Sequence, residues 1–131
     1  MRKMSNFIII NNKKFKTVLA ISEKEQEQGL MYVDWPPPVM SFIYASPRIN
    51  KFWMKNTKCP LDIVFCFKNK ITNILQGEPY STKTIGDNYF SDLVIELPVG
   101  TCKASGINIG DSVRLEVSED IMSKLSSWKK Y

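Results

Sequence analysis

Short apolar runs, each closed off by glycine, proline or asparagine, recur along this chain about every ten residues, the spacing of an all-β domain rather than a helical one. The clearest run is 61–67. Leu61, Ile63, Phe65 and Phe67 form one apolar face, and Asp62, Val64 and Cys66 form the other, with the period of two that a strand imposes. Residues 7–10 and 15–21 predict a hairpin, because Asn11 and Asn12 between them tolerate the left-handed backbone of a two-residue turn. Further strands are expected over 39–44, 52–54, 71–75, 93–97 and 113–117. Between them, 46–50 and 68–70 read as turns, 55–60 as a polar connection, and 77–91 as a long loop rich in Gly, Pro, Thr and Asn. Trp35-Pro36-Pro37-Pro38 is a rigid connector, since neither a helix interior nor a central strand holds such a run.

Helical signals are few. Ser22 followed by Glu25 is a capping box that opens a short exposed helix over 23–28, which Gly29 terminates. Residues 101–105 supply one helical turn. Ser118 caps a last helix with Glu119 and Asp120 in its first turn and Lys129 and Lys130 at its end, matching the helix dipole at both ends. Ile121, Met122, Leu125 and Trp128 share one face of it. The expected fold class is mainly β, an antiparallel barrel or sandwich with a short flanking helix and an extra C-terminal helix. Residues 1–117 form a single β domain, and 118–131 an amphipathic helix packed on it or extending from it.

Composition fits one globular unit: 131 residues, 44% hydrophobic and 24% charged. Histidine is absent, which removes the Ser/His/Asp and Cys/His hydrolases and the His-ligated zinc enzymes. The net charge of +5 is uneven. Arg2, Lys3, Lys13, Lys14 and Lys16 open the chain without an acid, Lys124, Lys129 and Lys130 close it, and in 48–70 six cations face only Asp62. That excess would suit an anionic partner, but no phosphate loop or RNA-stacking pattern accompanies it, and solvated lysines are the simpler reading. Cys59, Cys66 and Cys102 form no C-x-x-C pair, which fits a reducing compartment. The apolar run 7–10 is shorter than a signal-peptide core or a membrane span. A cytoplasmic location without a membrane partner is therefore expected, in the host cytoplasm or the virion if the isoleucine-, lysine- and asparagine-rich sequence is phage-encoded. Neither the cysteines nor Asp87, Asp92 and Glu96 have metal-ligand spacing, so no metal or cofactor is expected.

The candidate chemistry gathers between Phe52 and Asp62. Trp53 offers an apolar wall, with Lys55 and Asn56 as donors converging on a small ligand. Asp62, on a face shared with Val64 and Cys66, would be drawn out of water and need a cation. Lys55 is the nearest in sequence, as a proton-transfer pair or as a structural ion pair. Three functions follow. The first is a non-catalytic module binding an unidentified small molecule or protein at Trp53, Lys55 and Asn56, with 77–91 as a lid. The second is a structural or host-interaction protein working through its basic ends and last helix. The third is an enzyme using Lys55 and Asp62 as its acid-base pair, helped by Glu96. A cavity that stays open at Lys55, lined by the Asn56 amide and Trp53, favours the first; a dry Lys55–Asp62 pair with no pocket beside Trp53 favours the second.

The run Phe52-Trp53-Met54-Lys55-Asn56-Thr57 followed by Pro60-Leu61-Asp62-Ile63 resembles the uncharacterised family catalogued as Domain of Unknown Function 192. Gly29-Leu30-Met31, Met40 with Phe42 and Ile43, Glu96-Leu97 with Gly100, and Gly106-Ile107 with Gly110-Asp111 extend the likeness in order over residues 18–117. The resemblance implies a mainly β barrel or sandwich with a flanking helix, and no established activity, substrate or cofactor. Lys58-Cys59 and Lys68-Asn69-Lys70 depart from the family's usual residues, and the segment from Ser118 lies outside it.

Overall fold

The computed structural model describes residues 5–128. Seven strands, β1 (Asn6–Ile10), β2 (Lys13–Ala20), β3 (Val39–Ile49), β4 (Leu61–Phe67), β5 (Lys70–Gly77), β6 (Phe90–Pro98) and β7 (Val113–Glu116), make one sheet in the order β5-β4-β6-β3-β2-β1-β7. Three helices accompany it: α1 (Glu23–Gln28), α2 (Thr101–Ser105) and α3 (Glu119–Trp128). The two ends of the strand order meet at a corner. Lys70 bridges Ser112, and the Ile71 and Val113 N–H groups donate to the carbonyls of Asp111 and Asn69, each at 2.9 Å. The sheet is thereby curled into a half-barrel, and the mainly β expectation holds.

One pairing departs from an all-antiparallel sheet: β2 and β3 run parallel, with Thr17 opposite Val39 and Ala20 opposite Phe42. A parallel pair needs a long crossover rather than a tight turn. Residues 21–38 provide it, carrying α1 and the proline connector across one face of the sheet. The capping box forms as its residues predict, the Glu25 N–H donating to Ser22 Oγ at 3.1 Å and the Ser22 N–H to Glu25 Oε1 at 2.9 Å.

Both faces of the sheet are covered. Ile8, Ile10, Ile43, Val64, Cys66, Ile95 and Leu97 are buried on one, together with Cys102 of α2, Ile107 and Val113. Phe42, Leu61, Ile63, Phe65 and Val94 are buried on the other, beneath Leu30, Met54 and Cys59. Residues 46–49 belong to β3 instead of forming a turn, with Asn50 just beyond its end, and the pairing with β6 slips register between Ile43 and Arg48, the kind of irregularity that accommodates Pro47. Residues 52–54 form no strand beyond one bridge between Phe52 and Ile85. The following loop is tied down, with the Met54 N–H donating to Ser81 O at 2.8 Å and the Tyr80 N–H to Thr57 O at 3.0 Å.

The Ser118 N–H donates to Asn6 Oδ1 at 3.0 Å where α3 begins. Leu125 and Trp128 pack against the first core, whereas Met122 stays exposed. Lys129 and Lys130, like Arg2 and Lys3, lie outside the described residues. No helix among the described residues is long and apolar enough to cross a membrane.

Gly86 fixes the long loop against the second core. Its φ is +89°, and a Cβ there would stand 2.6 Å from two Phe65 ring carbons and 2.8 Å from Asn50 O. Gly86→Ala should cost about 3 kcal/mol through combined strain and overpacking. A lower urea midpoint at constant slope is the expected readout; an unchanged midpoint would mean that the loop repacks freely.

Candidate ligand-binding site

Where the crossover returns towards the sheet, it leaves a cavity of about 470 Å³ over the second face. Its lining includes Gly29, Leu30 and Met31 from the end of α1, Phe42, Tyr44 and Arg48 from β3, Phe52 and Trp53 beyond it, and Glu96 from β6. Gly29 has φ +50°, and the place of a Cβ on it lies 3.5 Å from Phe42 Cζ and 3.9 Å from Glu96 Oε1. Larger residues there would intrude on the cavity and resist that backbone conformation. Phe42 and Phe52 pack edge to face at 5.0 Å between ring centroids, so the apolar wall is a fixed aromatic cluster. Trp53 is 45% exposed and stands at the mouth.

Glu96 is the unusual member. It occupies the middle of a strand with neighbours on both sides, opposite Met40 of β3 and Ile63 of β4, and is only 4% exposed. No hydrogen bond or ion pair to its carboxyl is found among the described residues, and desolvation is the cause of its shift. Burial pushes that carboxyl up to about 8, because the charged form is the one that loses solvation. Tyr44 lies within the fields of both Glu96 and Arg48, with the Arg48 guanidinium carbon 4.9 Å from its ring centroid. Burial raises the Tyr44 phenol above its ordinary value, Arg48 opposing the shift and Glu96 adding to it. Arg48 itself is held by its Nε–H, which donates to Asn50 Oδ1 at 3.0 Å. Asn50 is anchored in turn by donating to Ser91 O and Oγ at 3.0 and 2.7 Å.

The residues expected to act together are divided by this arrangement. Trp53 and Glu96 line one cavity; Lys55, Asn56 and Asp62 do not border it. Lys55 is exposed, its ammonium 5.2 Å from the centroid of the Trp53 ring. Asn56 adopts a left-handed conformation in a turn, and its carbonyl accepts from the Tyr32 N–H at 2.9 Å. Asp62 is 2% exposed, as its position on β4 predicts, but the expected ion pair with Lys55 does not form. Its Oδ2 accepts the Cys102 N–H at 3.0 Å, so a backbone donor at the start of α2 satisfies the carboxylate in place of a cation. The reason is topological: Asp62 and Lys55 belong to segments on opposite faces of the sheet. All three cysteines are buried and free, and the Cys102 thiol is pushed up to about 12 by burial and by Asp62, which leaves it a poor nucleophile. No cluster among the described residues has the makings of a metal site. Tyr44 and Arg48 also line the cavity, and no local pattern marks them, because 39–44 reads as strand and 46–50 as turn.

These environments set two outcomes. Asp62→Ala should cost about 2 kcal/mol by stranding the Cys102 N–H, whereas Lys55→Met should leave the thermal midpoint nearly unchanged; the reverse order would restore the ion pair. Glu96 holds a proton in the folded protein that the unfolded chain releases near its ordinary value of 4.5. Its contribution to stability is therefore whole below that value and is lost as pH rises through about 8. Relative to wild type, Glu96→Gln should gain on the order of 4 kcal/mol between pH 5 and pH 8.5, measured by urea denaturation at both pH values. A constant difference would mean that the carboxyl is well solvated.

Comparison with known proteins agrees with the fold. A proposed transcription regulator from Sinorhizobium meliloti 1021 is similar in structure, with a TM-score of 0.75 and 30% identity over 85% of this chain and 92% of that one. A protein of unknown function from Novosphingobium aromaticivorans DSM 12444 also has a TM-score of 0.75, with 28% identity over 84% of this chain and 83% of that one. No curated protein matches the sequence. The family model DUF192, described as "Uncharacterized ACR", matches residues 7–115, which takes in all of the sheet but its first and last residues, and the cavity; the chain belongs to the DUF192 family.

Proposed function

We propose that this protein is a non-catalytic binding module that holds a small molecule in the cavity between Gly29–Met31 and Trp53. The observation that carries the proposal is Glu96, a carboxyl with no protein partner among the described residues, set at an aromatic-walled cavity of about 470 Å³. A carboxyl drawn largely out of water without a protein partner lowers stability, and a ligand that supplies the partner turns that cost into affinity. The cavity has the size and mixed character of a small-molecule site, apolar walls with a few convergent polar groups. The acid-base reading of Lys55 with Asp62 lacks this support, since the two carry no contact and neither borders the cavity.

The test is a thermal-shift screen of the full chain against a broad library of cationic, anionic, neutral and zwitterionic metabolites, joined with native mass spectrometry of protein purified from its own host. At least one compound should raise the midpoint by several degrees at saturating concentration, as ligand linkage requires. Trp53→Ala should weaken that compound about tenfold while shifting the free protein's midpoint little, because the indole is 45% exposed. If no compound shifts the midpoint and no retained molecule is seen, the binding function is wrong.

A further inference from the structure

We infer that the ligand is a small zwitterion, an amino acid or close analogue, with its ammonium group on Glu96 and its carboxylate on Arg48. This rests on the binding function proposed above and names the class of molecule it takes. The cavity's lining holds two acids, Glu27 and Glu96, and two cations, Arg48 and Lys51. A purely cationic ligand would meet Arg48 and Lys51, and a purely anionic one would leave Glu27 unmatched and hold Glu96 in its protonated form; a molecule carrying both charges matches both poles once Glu96 ionises. The poles share one wall. Arg48 lies over the Tyr44 ring, and Tyr44, Arg48 and Glu96 line the same cavity.

Each pole is prepared for its partner. Glu96 offers carboxyl oxygens that no group among the described residues engages, and an ammonium supplies hydrogen bonds and counter-charge together. Arg48 is steadied at Nε by Asn50 and lies over the Tyr44 ring, and a guanidinium's terminal nitrogens form a fork that fits a carboxylate. Phe42, Phe52 and Trp53 remain as apolar surface for the ligand's side chain. Near neutral pH Glu96 carries a proton in the free protein, and engaging an ammonium requires the ionised form. Binding therefore releases that proton to solvent, leaving a carboxylate–ammonium pair. The charged and titratable groups around Glu96 are Tyr44 and Arg48 from β3, Glu27 from α1 and Lys51 from the chain after β3; its neighbours on β4 and β3, Ile63 and Met40, are apolar. Glu96, its carboxyl pushed up to about 8 by burial, is the group that carries the pH dependence of binding.

The test is isothermal titration calorimetry of the full chain with each of the twenty common L-amino acids at pH 8, repeated for the best binder at pH 6 and in two buffers of different ionisation enthalpy. At least one amino acid should bind, more tightly at pH 8 than at pH 6 by as much as tenfold per pH unit, with net proton release at the lower pH. Its N-acetyl derivative and its methyl ester should each bind at least tenfold more weakly. Glu96→Gln should abolish the pH dependence, and Arg48→Met should erase the difference between the amino acid and its ester; far-UV circular dichroism checks that both variants are folded. If none of the twenty binds, or if acetylation or pH leaves affinity unchanged, the zwitterion assignment is wrong. A neutral or anionic compound that binds in the broader screen and is weakened by Trp53→Ala would leave the binding function standing without this assignment, whereas failure of every compound removes both.

Discussion

An acidic side chain in the middle of β6, with methionine on one flank and isoleucine on the other, is the constraint around which this face of the protein is organised. A strand paired on both sides has no room to turn such a side chain toward bulk water. The carboxyl must therefore lie in the core, find a partner there, or open onto a space the core leaves free. Three features keep that space: Gly29, whose missing side chain clears the region beside Phe42 and Glu96; the Phe42–Phe52 edge contact, which fixes the wall; and Asn50, which holds Arg48 from below.

The parallel pairing of β2 with β3 is what delivers the roof. Since tight turns join only antiparallel neighbours, the chain between them has to travel across a face of the sheet, and α1 with its following glycine is laid over Phe42 and Glu96 as a result. Residues that lie far apart in the chain, Gly29, Phe52 and Glu96, thereby face one another. The other buried acidic residue, Asp62, shows the contrasting solution. It points to the opposite face, where the start of α2 presents a backbone N–H, and its demand is met by the protein itself.

Much of the fold was legible in the sequence because it is written in local chemistry. The Asn11-Asn12 hairpin, the Ser22/Glu25 capping box, the alternation of 61–67 and the turn at 101–105 each depend on neighbouring residues, and each appears where expected. Trp53 and Glu96, two of the expected site residues, line the cavity, whereas Lys55, Asn56 and Asp62 do not. Lys55 and Asn56 stand next to Trp53 in sequence, but the turn at 54–57 carries them away from the cavity. No local pattern marks Tyr44, which ends the strand expected over 39–44, or Arg48, where Pro47 makes the chain read as a turn while the strand absorbs the proline through a register slip. Which face a residue serves depends on what covers it, and coverage is decided by the crossover rather than by any local pattern.

The corner where Lys70 meets Ser112 bears on how the chain assembles. β1 lies between β2 and β7 in the sheet, so the first strand made by the ribosome keeps one unsatisfied edge until the last strand has emerged. Contacts of such long sequence separation slow folding, and a nascent chain interrupted before residue 113 would expose a ready template for pairing with other chains.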